Sequence, residues 1–253
     1  MKSIGRWAFA NCSSLGIIDV EEDNAVYASV DGILFSKDMK ELISCPSARE
    51  IGDYVIPSTV TVLHSMAFSG SALTGITIPG SIELIDIAAF QACLRLRKVN
   101  IQEGVVTIGP MAFSRCMELK EVKIPSSVTT FEDSSLEGTF YKCDALTDVV
   151  NLSAVPQKIP EHTFTFSGQP YTYGTLHVRP DCETLYRNAD VWCNFNIVGD
   201  ADVSGISRPE VSGTAETTVT AVYGMDGKRT TEATTSMKIL KMNDGSVRKM
   251  IVK

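Results

Sequence analysis

The dipeptide Ala-Phe recurs along the chain at Ala8-Phe9, Ala67-Phe68, Ala89-Phe90 and Ala112-Phe113, with Thr139-Phe140 as a diverged fifth copy. Its surroundings recur with it. Three residues after the Phe stands Cys12, Cys93, Cys116 or Cys143, and six after it Leu15, Leu96, Leu119 or Leu146; one copy is a residue shorter and gives Ser71 and Leu73. From that Leu an L-x-x-L-x-L pattern follows, as in Leu73-x-x-Ile76-x-Ile78, Leu96-x-x-Val99-x-Ile101 and Leu119-x-x-Val122-x-Ile124, with Leu15-x-x-Ile18-x-Val20 at the start. The last three spacings are 22, 23 and 27 residues. A unit this short cannot bury an apolar face alone, so neighbouring units must stack and share one core.

Each unit carries a second apolar pair between its Pro-Ser corner and the next Ala-Phe: Val60 and Leu63, Ile82 and Ile85, Val105 and Ile108, Val128 and Phe131. Alternation along both edges turns one face inward. Parallel stacking places equivalent residues about 4.8 Å apart, which predicts an aromatic ladder of Phe90, Phe113 and Phe140. It predicts a thiol ladder of Cys93, Cys116 and Cys143 as well, read as packing because buried Cys behaves as a small hydrophobe. Seven cysteines are an odd number and none forms a C-x-x-C pair, so neither a disulfide framework nor a structural zinc site is expected.

This pattern is that of a leucine-rich-repeat solenoid: a parallel, mostly β stack with short aromatic turns. It resembles the BspA-like leucine-rich repeats of bacterial surface and secreted proteins, whose units read approximately I-P-x-S-V-x-x-I-G-x-x-A-F-x-x-C-x-x-L. The segment Ile108-Gly109-Pro110-Met111-Ala112-Phe113-Ser114-Arg115-Cys116-Met117-Glu118-Leu119 through Ile124-Pro125-Ser126-Ser127-Val128 carries nearly the whole motif. The resemblance covers about residues 4–199. It implies a surface or secreted protein that attaches to host matrix proteins or to other bacteria.

Residues 1–199 are expected to form the solenoid, with 151–199 as its C-terminal cap. Leu176-His177-Val178 reads as the last strand, and Tyr186, Ala189, Trp192, Phe195 and Ile197 close over the core. Between Val20 and Ile56 the period is interrupted, and Asp31-Gly32 there predicts a hairpin within an enlarged repeat. Residues 200–216 turn to Ser, Thr, Gly and acid and read as a linker. Residues 217–253 form a small β segment with a hairpin at Asn243-Asp244-Gly245. That segment resembles the C-terminal sorting domains of Bacteroidetes proteins exported by the type IX route, which implies export; a β appendage with no transport role is the alternative.

The net charge of −7 and the lack of a Lys/Arg cluster argue against nucleic acid. The longest uncharged stretch, Tyr54 to Ile82, is broken by Pro57 and Pro79, so no membrane span is expected. Met1-Lys2-Ser3 runs straight into the first repeat, without the apolar region of a signal peptide. His64, His162 and His177 lack metal-ligand spacing, Gly224-Met225-Asp226-Gly227-Lys228 has the wrong spacing for a phosphate loop, and no cofactor is expected. Glu21-Glu22-Asp23 lacks the ligand spacing of a calcium loop.

The outward positions of the main strand remain: Ile17 and Asp19, Gly75 and Thr77, Lys98 and Asn100, Glu121 and Lys123, Asp148 and Val150. Glu121 beside Asp148 is the nearest approach to an acid pair for sugar chemistry, yet Lys98 flanks Glu121 and suggests solvated ion pairs. The expected function is a non-catalytic binding module for a protein or glycan, with Asp19, Thr77, Lys98, Asn100, Glu121 and Lys123 as contacts. A structural spacer is the second reading, and a polysaccharide-acting enzyme the third.

Overall fold

The computed structural model describes residues 3–132, 134, 137–164 and 174–201, together with the backbone of three strands between 219 and 251. The enlarged repeat forms first. β1 (Tyr27–Val30) and β2 (Ile33–Ser36) pair as an antiparallel hairpin, and β3 (Glu41–Ser44) pairs antiparallel with β2. Asp31 and Gly32 both have positive φ, 50° and 70°, as the tight hairpin turn requires.

From here the chain coils. β4 (Asp53–Val55) leads through a Pro-Ser corner to β5 (Val62–Leu63), and an aromatic turn then leads to β6 (Gly75–Ile78). The same cycle gives β7 (Leu84–Ile85) and β8 (Lys98–Ile101), β9 (Thr107–Ile108) and β10 (Glu121–Ile124), and β11 (Thr130–Phe131) and β12 (Asp148–Asn151). β13 (Thr175–Val178) and β14 (Asn196–Val198) complete the main sheet. Even-numbered strands from β4 to β12, followed by β13 and β14, make one seven-stranded parallel sheet; β1 to β3 and the short odd-numbered strands make a second sheet of seven. These strands therefore form a leucine-rich-repeat solenoid of stacked coils.

The interior repeats as the sequence does. Phe68, Phe90, Phe113, Phe140 and Phe164 are fully buried, and neighbouring rings lie 5.0 to 5.4 Å apart with interplanar angles of 14° or less. The predicted ladder is present and is longer at both ends by one ring. Cys93, Cys116 and Cys143 are buried free thiols. Each donates to the Phe carbonyl of the preceding coil: Cys93 to Phe68 at 3.0 Å, Cys116 to Phe90 at 3.2 Å and Cys143 to Phe113 at 3.1 Å. Burial raises the pKa of Cys93 and Cys116 well above the ordinary thiol range, so both stay protonated donors.

The turns gain their inter-coil bonds from an unusual backbone. In each, the residue two after the Phe has left-handed φ, whether Gly70, Ala92, Arg115 or Lys142, and so does the residue before Ala-Phe in Met66, Ala88 and Met111. A non-glycine residue there costs about 1–2 kcal/mol. The arrangement aims alternate N–H groups at the next coil: Ala88 to Pro110, Phe90 to Ala112 and Ala92 to Ser114, at 2.8 to 3.0 Å. At the opposite corner, Ser81 and Ser127 hydroxyls donate to the Val60 and Val105 carbonyls of the coil before.

The C-terminal end is closed. β14 follows a short helix α1 (Glu183–Arg187), so the strand at Leu176-His177-Val178 is followed by one more, a correction to the sequence reading. Trp192 and Tyr186 are fully buried; Trp192 meets Phe164, Phe131 and Tyr186 edge-on. Its indole N–H donates to the Gln157 carbonyl at 2.8 Å, and the Gln157 side chain bonds Asn151 and the Val128 carbonyl. Asn151 thus replaces the corner Ile of earlier coils without leaving its polar atoms unpaired.

The N-terminal end differs. Residues 15–20 carry the strand pattern but form no strand, and the edge of the main sheet is β4 instead. The Phe9 ring is half-buried outside the ladder, which ends where Tyr54 meets Phe68 at 5.8 Å.

Residues 207–253 form a second compact unit, in which β15 (Val219–Tyr223), β16 (Met237–Met242) and β17 (Val247–Ile251) make an antiparallel sheet. The linker from 202 onward and the turns expected at Met225-Asp226-Gly227-Lys228 and Asn243-Asp244-Gly245 lie outside the described residues.

Candidate functional site: the outer face of the main sheet

Because the main strands are parallel and in register, their outward side chains fall into two straight rows. One row runs Asp53, Gly75, Lys98, Glu121, Asp148, Thr175, Asn196, and the other Val55, Thr77, Asn100, Lys123, Val150, His177, Val198. Five of the expected contact residues are thereby brought onto one surface: Thr77, Asn100 and Lys123 are consecutive in one row, and Lys98 and Glu121 are neighbours in the other. Asp19 is not among them. Its segment leaves the sheet, and its carboxylate accepts a hydrogen bond from Ser29 at 3.4 Å; the place beside Thr77 belongs to Val55.

Glu121 and Asp148 are adjacent across β10 and β12, but each carboxylate is already engaged. Lys98 Nζ lies 2.8 Å from Glu121, an exposed pair of small net value. Asp148 accepts from the Thr147 hydroxyl at 2.6 Å and pairs with His177 Nε2 at 3.3 Å. The two acids lie on an open sheet surface, flanked by Lys98 on one side and His177 on the other, rather than across a cleft. That arrangement suits salt-bridged surface charge better than paired acid and base work.

His177 is the feature that sequence reading missed. Its Nδ1 pairs with Asp200 at 2.7 Å while Nε2 reaches Asp148, so one ring ties β12, β13 and the chain leaving β14. Burial disfavours the charged ring, but the hydrogen bonds and charges of Asp200 and Asp148 outweigh it and raise the pKa above the ordinary imidazole value. The other histidines are local: His64 pairs with Glu41 at 2.8 Å, and His162 bonds the Ser134 carbonyl at 2.7 Å. Among the described residues no group of three or more His, Cys, Asp or Glu is placed to hold a metal ion, and no helix is long and apolar enough to cross a membrane.

The fold has solved relatives. The pneumococcal vaccine antigen PcpA superposes with a TM-score of 0.55 and 25% identity, over 74% of this chain and 50% of its own. A leucine-rich cell surface protein from Faecalibacterium prausnitzii does so with a TM-score of 0.53 and 27% identity, over 64% of this chain and 44% of its own. A leucine-rich repeat protein from Eubacterium ventriosum shares the fold at a TM-score of 0.50 and 21% identity, over 85% of this chain and 59% of its own. This chain thus spans about half the length of these three solved structures. No curated protein matches it. One family model does match: residues 44–169 are similar to the BspA type leucine-rich repeat region, in six copies.

Proposed function

We propose that the solenoid is a non-catalytic binding module of a surface or secreted protein, and that it presents the outer face of its main sheet to a protein or glycan. The observation that carries this reading is the pair of in-register rows across seven strands. Such a surface is broad and evenly spaced, and it is held by coils whose buried rings stack from Phe68 to Phe164, so contact with a partner requires little further ordering. Thr77, Asn100 and Lys123, with Lys98 and Glu121 alongside, form its polar centre. That one solved relative is called a cell surface protein and another a vaccine antigen supports the surface setting. Export by the type IX route through residues 217–253, and a role in adhesion, belong to the same proposal.

The test is a pull-down against host matrix proteins and a glycan array with the full chain, repeated with Lys98→Glu/Lys123→Glu. Binding that falls at least tenfold in the double variant, with its circular dichroism unchanged, supports the proposal. Binding by neither protein favours a structural spacer. Turnover of a polysaccharide that is lost in Glu121→Gln or Asp148→Asn favours an enzyme.

A further inference from the structure

Three side chains that the repeat does not require meet at one place. Trp7 stands where later turns carry Met66, Ala88 and Met111, and it keeps their left-handed backbone with a φ of 61°. Glu41 heads a row that continues with Val62, Leu84, Thr107 and Thr130 across the short strands. His64 follows Leu63 as Asp86 and Gly109 follow Ile85 and Ile108. All three line one cavity of about 150 Å³, between the turn at residues 4–10 and strands β1 and β3. Core packing accounts for none of them: Trp7 is 56% exposed, and the side chains of Glu41 and His64 are 46% and 40% exposed.

The walls are tied in place. The Trp7 indole N–H donates to Ser65 Oγ at 3.0 Å, and the Ile4 N–H donates to the Tyr27 hydroxyl at 2.9 Å, so the turn is anchored on two sides. His64 Nε2 lies 2.8 Å from Glu41 Oε2. A carboxylate only accepts, so Nε2 carries the hydrogen, and in the neutral ring Nδ1 is left as an acceptor. Among the described residues, neither His64 Nδ1 nor Glu41 Oε1 makes a hydrogen bond. Size and charge then narrow the ligand. A cavity of about 150 Å³ holds one six-membered ring, whereas drug-sized ligands take about 300 Å³ or more. Arg6 also lines the cavity and balances Glu41, so the site favours neither a cation nor an anion.

We propose that this cavity binds one neutral pyranose ring, the terminal sugar of a glycan, with the C–H face of the sugar on Trp7 and adjacent hydroxyls donating to Glu41 Oε1 and His64 Nδ1. A sugar is the neutral ring that carries several O–H donors around its edge and an apolar face between them. An apolar aromatic ring of the same size would leave both acceptors unpaired. The site is separate from the outer face of the main sheet and does not rest on the reading of that face.

The test titrates the full chain with the methyl glycosides of glucose, galactose, mannose and N-acetylglucosamine and follows the two indole N–H signals by NMR. At least one glycoside should shift the Trp7 signal saturably and leave that of Trp192, buried at the other end, in place. In Glu41→Gln the amide oxygen must face the His64 Nε2–H, which turns its NH2 toward the sugar, so the Kd should rise at least tenfold with circular dichroism unchanged. In Trp7→Ala, saturation transfer to the glycoside should disappear, while Lys98→Glu/Lys123→Glu should bind as the parent chain does. No shift with any of the four glycosides overturns the proposal. So does binding that survives both Trp7→Ala and Glu41→Gln, or that is lost in Lys98→Glu/Lys123→Glu and so belongs to the main sheet. Tighter binding of glucosamine or glucuronate than of every neutral glycoside overturns it in favour of a charged ligand.

Discussion

Phe113 offers the sharpest energetic test of the shared core. Its ring is fully buried and stacks on Phe90 at 5.1 Å and 4° and on Phe140 at 5.4 Å and 5°. Truncation to Ala in a core removes the burial of the ring and leaves a cavity, together about 3–5 kcal/mol. Here both ring faces lose an aromatic partner, and each such pair contributes about 0.5–1.5 kcal/mol beyond burial, so Phe113→Ala falls at the upper end. Phe9 is the same residue in the same motif, but half-buried and outside the ladder; with roughly half a side chain's burial to lose, Phe9→Ala costs about 1 kcal/mol. Urea unfolding followed by tryptophan fluorescence measures both, since Trp192 sits in the plug at the end of the ring stack. Equal losses for the two variants would refute the reasoning, because they would mean that the stack adds nothing to what the motif alone supplies.

Three further outcomes follow from single contacts. Because His177 has a raised pKa, its pairing with Asp148 and Asp200 stabilises the cap fully below the ordinary imidazole pKa of about 6.5 and is lost as pH rises through the raised value. Amide exchange at 175–201 should therefore quicken from pH 6 to pH 8 more than exchange at 98–124 does, and His177→Gln should abolish the difference. A Cβ on Gly80 would sit 1.7 Å from the Glu103 carbonyl oxygen of the next corner, so Gly80→Ala should destabilise by about 1–3 kcal/mol in thermal unfolding. Thr139 stands where other coils carry Ala, and its buried hydroxyl has no partner. Thr139→Ala relieves about 1–3 kcal/mol of unmet hydrogen bonding against about 0.8 kcal/mol for the lost methyl, so calorimetry should show a higher Tm.

The repeat was legible because the same core residues recur at spacings of 22, 23 and 27 residues, and from Phe68 onward the recurring rings, with the thiols from Cys93 onward, make inter-coil contacts. Phe90, Phe113 and Phe140, the thiols beside them and the Asp31-Gly32 hairpin all follow from local pattern. Where the pattern lapses, the reading lapsed too. Cys45 takes the place of the ring in the coil before Phe68, bonding Ala67 as Phe68 bonds Ala89, so no Ala-Phe announces that coil and β4 was missed. The strand expected at residues 15–20 has the right apolar residues, but its segment leaves the main sheet, whose edge is β4, and a local motif does not report which segment pairs there. The left-handed residues were hidden for a similar reason. Glycine occupies such a site at Gly70, while Ala92 and Arg115 adopt it under the pull of bonds to the next coil. The strand register aligns the expected outward positions from β6 to β12, but the link from His177 to Asp200 joins residues across the cap, beyond any periodic signal.

The most direct test of in-register stacking is a cysteine pair across two coils. Asn100 and Lys123 are register partners on β8 and β10, and parallel neighbours about 4.8 Å apart lie inside the Cα range of about 4.4–6.8 Å that a disulfide accepts. In a Cys12→Ser/Cys193→Ser background, Asn100→Cys/Lys123→Cys should close a disulfide under mild oxidation. Asn100→Cys/Glu121→Cys, displaced by two residues along the strand, should stay reduced. Bond formation in the displaced pair, with none in the register pair, would contradict the fold on which the proposed binding face rests.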